Sequence, residues 1–152
     1  MPRLSIVVPF EKDPACLEST LLSILENRPN DAELILVHRG NYSDPYHLET
    51  DELIVVEGDA DSSLVELVNE GVRAACAAVV EVVLPGCIVA PDWTDEALEL
   101  FQDPDVAAVA IPVSADGESI DSYGIDAKWL PRRSLATRRR GLKGATPLLH
   151  GG

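Results

Sequence analysis

The sequence has no apolar run long enough to cross a bilayer. Its longest, Ala74 to Val80, is seven residues and ends at Glu81, against the roughly 18 that a span requires. A leader is not expected either, because the apolar stretch after Met1-Pro2-Arg3 is short and no small-residue cleavage site follows it. The three cysteines, Cys16, Cys76 and Cys87, match no metal-ligand spacing and leave an odd thiol. That suits three free thiols in a reducing cytoplasm better than a disulfide framework. No G-x-G-x-x-G follows the first apolar run and no G-x-x-x-x-G-K-[ST] occurs anywhere, so dinucleotide and P-loop readings lose their main support. A receiver domain would cluster acids after its first strand, which Glu11 and Asp13 match poorly. His47 and His150 join no metal constellation, Cys87 has no base beside it in sequence, and no internal repeat or low-complexity segment is present.

Basic residues are scarce over most of the chain. Residues 1–126 hold all 26 acids against five bases (Arg3, Lys12, Arg28, Arg39, Arg73), a net −21, while the remaining 26 residues carry seven bases and no acid. An acidic body repels nucleic acid and anionic lipid, which removes both as expected partners. The basic cluster Arg132, Arg133, Arg138, Arg139, Arg140 and Lys143 is either a solvated segment or a contact for phosphate or a partner. With 152 residues, 46% of them hydrophobic and 25% charged, one globular domain with a real core is the default.

Apolar runs alternate with amphipathic segments. Strands are expected near 4–9, 33–38, 53–57, 79–84 and 106–113, the runs being β-branched and nearly continuous, as in strands buried on both faces. Helices are expected over Pro14 to Asn27, with Asp13 as N-cap and Pro14 at the first helical position, over Ser62 to Ala78, and over Asp92 to Gln102 with Asp92 as N-cap. The order β-α-β-β-α-β-α-β predicts a three-layer α/β/α fold around a mostly parallel sheet. Residues 1–130 are read as this α/β domain. Residues 114–118 read as a hairpin or turn and Ile120 to Trp129 as a further short strand, while 131–152 form a basic C-terminal segment with no clear period. In parallel sheets ligands bind beyond the carboxyl ends of the strands, which directs attention to Pro9 to Lys12, His38 to Asn41, Glu57 to Asp59 and Leu84 to Ile88.

Several of these segments carry a resemblance. Ser5-Ile-Val-Val-Pro-Phe10, the helix with Leu17-Glu-Ser-Thr-Leu-Leu-Ser-Ile-Leu25, and Glu33-Leu-Ile-Leu-Val37 before a glycine-containing loop resemble the opening of family 2 inverting glycosyltransferases. Asn69-Glu-Gly-Val-Arg-Ala-Ala75, the run Val79 to Leu84, Ala90-Pro-Asp-Trp93 and Asp103-Pro-Asp-Val-Ala-Ala-Val109 resemble that family's later elements in the same order. The likeness covers residues 4 to about 126 and lies in ordered spacing rather than in one motif.

The resemblance implies a Rossmann-like nucleotide-diphospho-sugar transferase fold, truncated, that binds a nucleotide-sugar, the expected one being of uridine-diphosphate type. Matched by position, Pro9, Phe10 and Glu11 would line the base, and His38, Arg39, Leu84 and Gly86 complete the expected nucleotide-sugar-binding set. Two departures stand out. The family usually has Asp-Asp-Gly-Ser after strand two, where this chain has His38-Arg39-Gly40-Asn41, and the family's metal-holding Asp-x-Asp falls at Leu84-Pro85-Gly86. Hard divalent cations want carboxylate oxygens, which these three residues lack, so no metal site and no cofactor are expected. Arg39 is either a solvated or locally paired side chain or a phosphate clamp, and His38 either a structural histidine or a base contact or general base. The chain stops at Gly152, where the family would enter the acceptor half that supplies its catalytic base. Two functions therefore stand open: inverting sugar transfer to an acceptor, or a non-catalytic binding domain that keeps the fold. The isolated chain is expected to be inactive. Donor sugar, acceptor and oligomeric state are not legible, nor is any catalytic residue.

Overall fold

A computed structural model describes residues 2–44 and 52–114. The chain divides into two compact units, Met1–Asp92 and Trp93–Gly152. The first holds β1 (Leu4–Phe10), α1 (Pro14–Asn27), β2 (Ala32–His38), β3 (Ile54–Glu57), α2 (Leu64–Ala74) and β4 (Val79–Val82). The four strands form one all-parallel sheet in the order β3-β2-β1-β4. The α/β class with flanking helices is as the periodicity predicts. Strands β2 and β3 step outward on one side of β1 and β4 returns to the other, so the order reverses between β1 and β4, and a crevice opens at such a point beyond the strand ends.

Pleating divides the sheet into two faces. Val7, Ile35 and Val37 form one fully buried cluster with Leu67 of α2. The helix comes close because position 71 is glycine: a Cβ there would collide with a Val7 methyl and lie 3.0 Å from Val37 Cγ2. Leu4, Ile6, Val8 and Phe10 of β1 and Leu34 and Leu36 of β2 line the opposite face and are buried. There Phe10 shares a cavity lining with Leu17 and Leu21 of α1, which puts α1 on that face.

Helix ends follow capping chemistry. Asp13 accepts from the Cys16 amide at 3.3 Å, with Pro14 in the first turn, as expected for the start of α1. Helix α2 opens with a capping box, the Glu66 carboxylate accepting from the Ser63 amide at 2.7 Å and Ser63 Oγ accepting from the Glu66 amide. It stops at Ala74 rather than running to Ala78. Ala75 is extended, the Cys76 amide donates to Glu33 Oε1 at 2.6 Å, and the Ala77 amide donates to Ser5 Oγ at 3.0 Å. Those two bonds take amides that a longer helix would use and steer the chain into β4.

Three further expectations are corrected. Strand four ends at Val82, and Leu84-Pro85-Gly86-Cys87 is a β-turn closed by the Cys87 amide on the Leu84 carbonyl at 3.0 Å, with Gly86 at φ +97°. Proline and then a positive-φ glycine at the two centre positions is the type II pattern. Asp92 is not the N-cap of the third helix: α3 covers Asp95–Leu100 and its N-cap position is Thr94. Residues 106–113 form no strand beyond a single bridging residue, Val113. Three alanines and Pro112, which lacks a ladder donor, explain that. The hairpin or turn at 114–118, from its second residue on, the strand at 120–129 and the boundary at 130 lie outside the described residues. No helix among the described residues is long and apolar enough to cross a membrane.

Candidate functional site

The ends of β1 and β2 are neighbours in register, with Phe10 opposite His38. Both are buried, and Tyr42 from the following loop closes over them. Its ring stands edge-on to Phe10 at 6.4 Å between centroids and tilted against His38 at 5.7 Å. Gly40, at φ +75°, turns the chain there, and a Cβ on it would lie 3.0 Å from Glu57 Oε1 at the end of β3. The Gly58 amide donates to the His38 carbonyl at 2.8 Å. The carboxyl ends of three strands are thereby drawn into one edge.

Polar bonds stitch the first two loops. Arg39 Nη2 donates to Glu11 Oε1 at 2.7 Å, Asn41 Nδ2 donates to the Glu11 carbonyl at 2.9 Å, and Asn41 Oδ1 accepts from the Arg39 amide at 3.2 Å. Arg39 Nε is buried with no hydrogen-bond partner among the described residues. The Glu66 carboxyl at the start of α2 is held below its ordinary value by bonds from the Ser63 amide and hydroxyl, with Arg39 adding to the effect and desolvation opposing it.

His38 Nδ1 accepts from the Gly40 amide at 2.9 Å. As an acceptor that nitrogen has its lone pair committed to the turn, which leaves Nε2 as the ring nitrogen not used by this bond. Beside the aromatic group a cavity of about 570 Å³ runs along α1, lined by Phe10, Asn41 and Tyr42 at one end and by Leu17, Leu21 and Leu25 along the helix.

Four of the seven expected site residues, Phe10, Glu11, His38 and Arg39, meet at this edge. Pro9 does not: it lies inside β1, paired with Val37, on the opposite face of the sheet from Phe10. Leu84 and Gly86 sit on their own turn, which is tied to α1 by the Gly86 amide donating to Thr20 Oγ1 at 2.9 Å and by the Val89 amide donating to Ser23 Oγ at 3.3 Å. Leu84 is exposed, Pro85 and Gly86 have no side-chain oxygen, and Cys87 offers one exposed thiol. This turn does not fit a hard divalent cation. Among the described residues no three His, Cys, Asp or Glu side chains gather as metal ligands. Asn41 and Tyr42 belong to the site but carry no periodic signal. The Pro-Gly dipeptide, by contrast, spells its turn in the sequence.

No family model and no curated protein sequence matches this chain. Solved structures do. A mannosyltransferase, PcManGT from Pyrobaculum calidifontis, solved in complex with GDP-mannose and Mn2+, superposes with a TM-score of 0.61 at 23% identity over 77% of this chain and 37% of its own. S. aureus TarS superposes with a TM-score of 0.63 at 11% identity over 81% of this chain and 24% of its own. The fold is thus a glycosyltransferase fold, and the chain spans well under half the length of either structure.

Proposed function

We propose that this chain is the nucleotide-sugar-binding part of a glycosyltransferase of the family 2 type, taking a nucleotide-diphospho-sugar across the ends of β1 and β2. The observation that carries the reading is the strand-end constellation itself. Tyr42, seated on buried Phe10 and His38, offers a base a flat apolar contact, and the Glu11–Arg39 pair beside it offers the rest of the nucleotide charged hydrogen-bonding groups. That such a fold binds GDP-mannose in the mannosyltransferase supports the ligand class; the resemblance also allows uridine diphosphate sugars. The three unpaired thiols agree with a reducing compartment, and a cytoplasmic location is part of the same proposal.

Inverting transfer needs an acceptor hydroxyl deprotonated as the diphosphate leaves, and that leaving charge must be neutralised in the transition state. By the family resemblance the Leu84–Cys87 turn falls where carboxylates would hold a metal for this purpose, and its lack of them favours the second reading: donor binding without turnover by these residues alone. At a nucleotide-sugar concentration of about a hundred times its Kd, the fold should gain roughly 2.7 kcal/mol, a rise in Tm of roughly 5–10 °C for a chain of this size. Melting the 152-residue chain with GDP-mannose and with UDP-glucose, each with and without Mn2+, is the test. The expected result is a shift with at least one of them that Mn2+ does not enlarge, and no acceptor-dependent diphosphate release. No shift with either sugar nucleotide would overturn the binding claim, and a manganese-dependent shift or diphosphate release would overturn the second reading.

A further inference from the structure

We infer that Arg39 is the phosphate-binding group of this site and that Glu11 holds it in reserve, the guanidinium exchanging the Glu11 carboxylate for phosphate oxygens when a nucleoside diphosphate binds. The inference rests on the proposed function and adds to it the residue that carries the diphosphate charge. A diphosphate entering the strand-end edge meets Glu11, Glu57 and Glu66 near Arg39, and the Leu84–Cys87 turn offers no carboxylates for a cation, so a protein cation has to neutralise it.

The cations of the first unit are few. Arg3 precedes β1 and pairs with Asp31, Arg28 follows α1 and pairs with Glu52, and Arg73 stands in the last turn of α2. All three belong to the amino-terminal edge of the sheet, away from the site. Lys12 and Arg39 remain, and Arg39 is the one that reaches across. It leaves the end of β2, yet its Nη2 lies at Glu11, just past the end of β1, which is the strand bordering the crevice at β4. The amino end of α1 is not a competing anion site, because the Asp13 carboxylate already accepts from the Cys16 amide.

Exchange is physically cheap. The side chains of Arg39 and Glu11 are 25% and 39% exposed, so the pair is reachable and its net stabilisation is small, whereas guanidinium meets phosphate bidentately. In the present arrangement Arg39 Nε is buried without an acceptor, and turning the guanidinium toward a phosphate releases that donor from its orphaned position. The loops stay in place meanwhile, since the Asn41 bonds to the Glu11 carbonyl and the Arg39 amide involve neither carboxylate nor guanidinium.

Calorimetric titration of the 152-residue chain without metal, using GDP and UDP each beside its nucleoside, tests the exchange. The preferred diphosphate should bind more tightly than its nucleoside, and only the diphosphate should weaken with added salt. Glu11→Gln should raise the affinity for the diphosphate several-fold relative to that for its nucleoside. Arg39→Gln should lose roughly 10- to 100-fold in diphosphate affinity, the loss of a charge-assisted bond, bringing it to the nucleoside's level, with Arg39→Lys in between. If Arg39→Gln fails to fold by its melting curve, Arg39→Lys and the salt dependence decide. An unchanged ratio of diphosphate to nucleoside affinity in Glu11→Gln, or in the Arg39 variants, overturns the exchange while nucleoside binding leaves the proposed function standing. Absence of binding by all four probes overturns both.

Discussion

Gly71→Val is expected to destabilise the first unit by about 3 kcal/mol or more, a large share of the roughly 5–15 kcal/mol that holds a typical domain. The cause is contact, not backbone conformation. A Cβ at position 71 already collides with a Val7 methyl and comes within 3.0 Å of Val37, and both valines are at the centre of the sheet with 0% exposure. Two added γ-carbons have nowhere to go unless α2 lifts from the sheet and uncovers Leu67. Alanine should be milder but still unfavourable, its helix propensity gain of about 1 kcal/mol being opposed by the same collision. Urea denaturation reads this as a lowered midpoint. An unchanged midpoint for Gly71→Val would mean that α2 does not pack as described.

Glu81→Gln is expected to remove a penalty that the wild type carries at neutral pH. Glu81 sits in β4 opposite Ile6 of β1, and burial pushes its carboxyl up from 4.5 to about 7. Between those values the unfolded chain is ionised there while the folded chain keeps its proton. Stability therefore falls as pH rises through this window, by about 3 kcal/mol in all, and the term is constant above it. Asp13 and Glu66 are shifted the other way, downward, so their contribution is lost only at more acid pH and does not mask the slope. Denaturant unfolding of both proteins at pH 5 and pH 8 should show the wild type losing stability between the two and Glu81→Gln losing about 3 kcal/mol less. Parallel pH dependence in the two proteins would contradict the buried carboxyl.

The strands of the sheet were the most legible elements because parallel strands covered on both faces must be apolar at successive positions, as Ile6 to Phe10 in β1 and Leu34 to Val37 in β2 are. The end of α2 was not, because Ala75 to Ala78 is locally a good helix. Only acceptors 43 and 72 residues away, on Glu33 and Ser5, turn it out of the helix. Residues 106–113 look apolar enough for a strand, yet alanine contributes too little side chain to a sheet surface to secure one. For the site, the strand-end rule locates Phe10, Glu11, His38 and Arg39 without any structure. What it does not reveal is that Arg39 is already paired with Glu11, that Gly40 occupies the Nδ1 lone pair of His38, and that Tyr42 covers both rings. Each is a side-chain contact made by a turn whose path depends on a positive-φ glycine. Pro9 fails for a simpler reason: the period of two in a strand puts it on the other face from Phe10.

The central claim, that a sugar nucleotide is held at the ends of β1 and β2, is tested most directly by following backbone amide resonances of the 15N-labelled chain while GDP-mannose, and separately UDP-glucose, is added. The account predicts saturable shifts concentrated at Phe10, Glu11, Arg39, Gly40 and Asn41, unchanged by Mn2+. Shifts confined to other surfaces, such as the exposed Val65 and Val72 of α2, or no shifts at millimolar ligand, would contradict it.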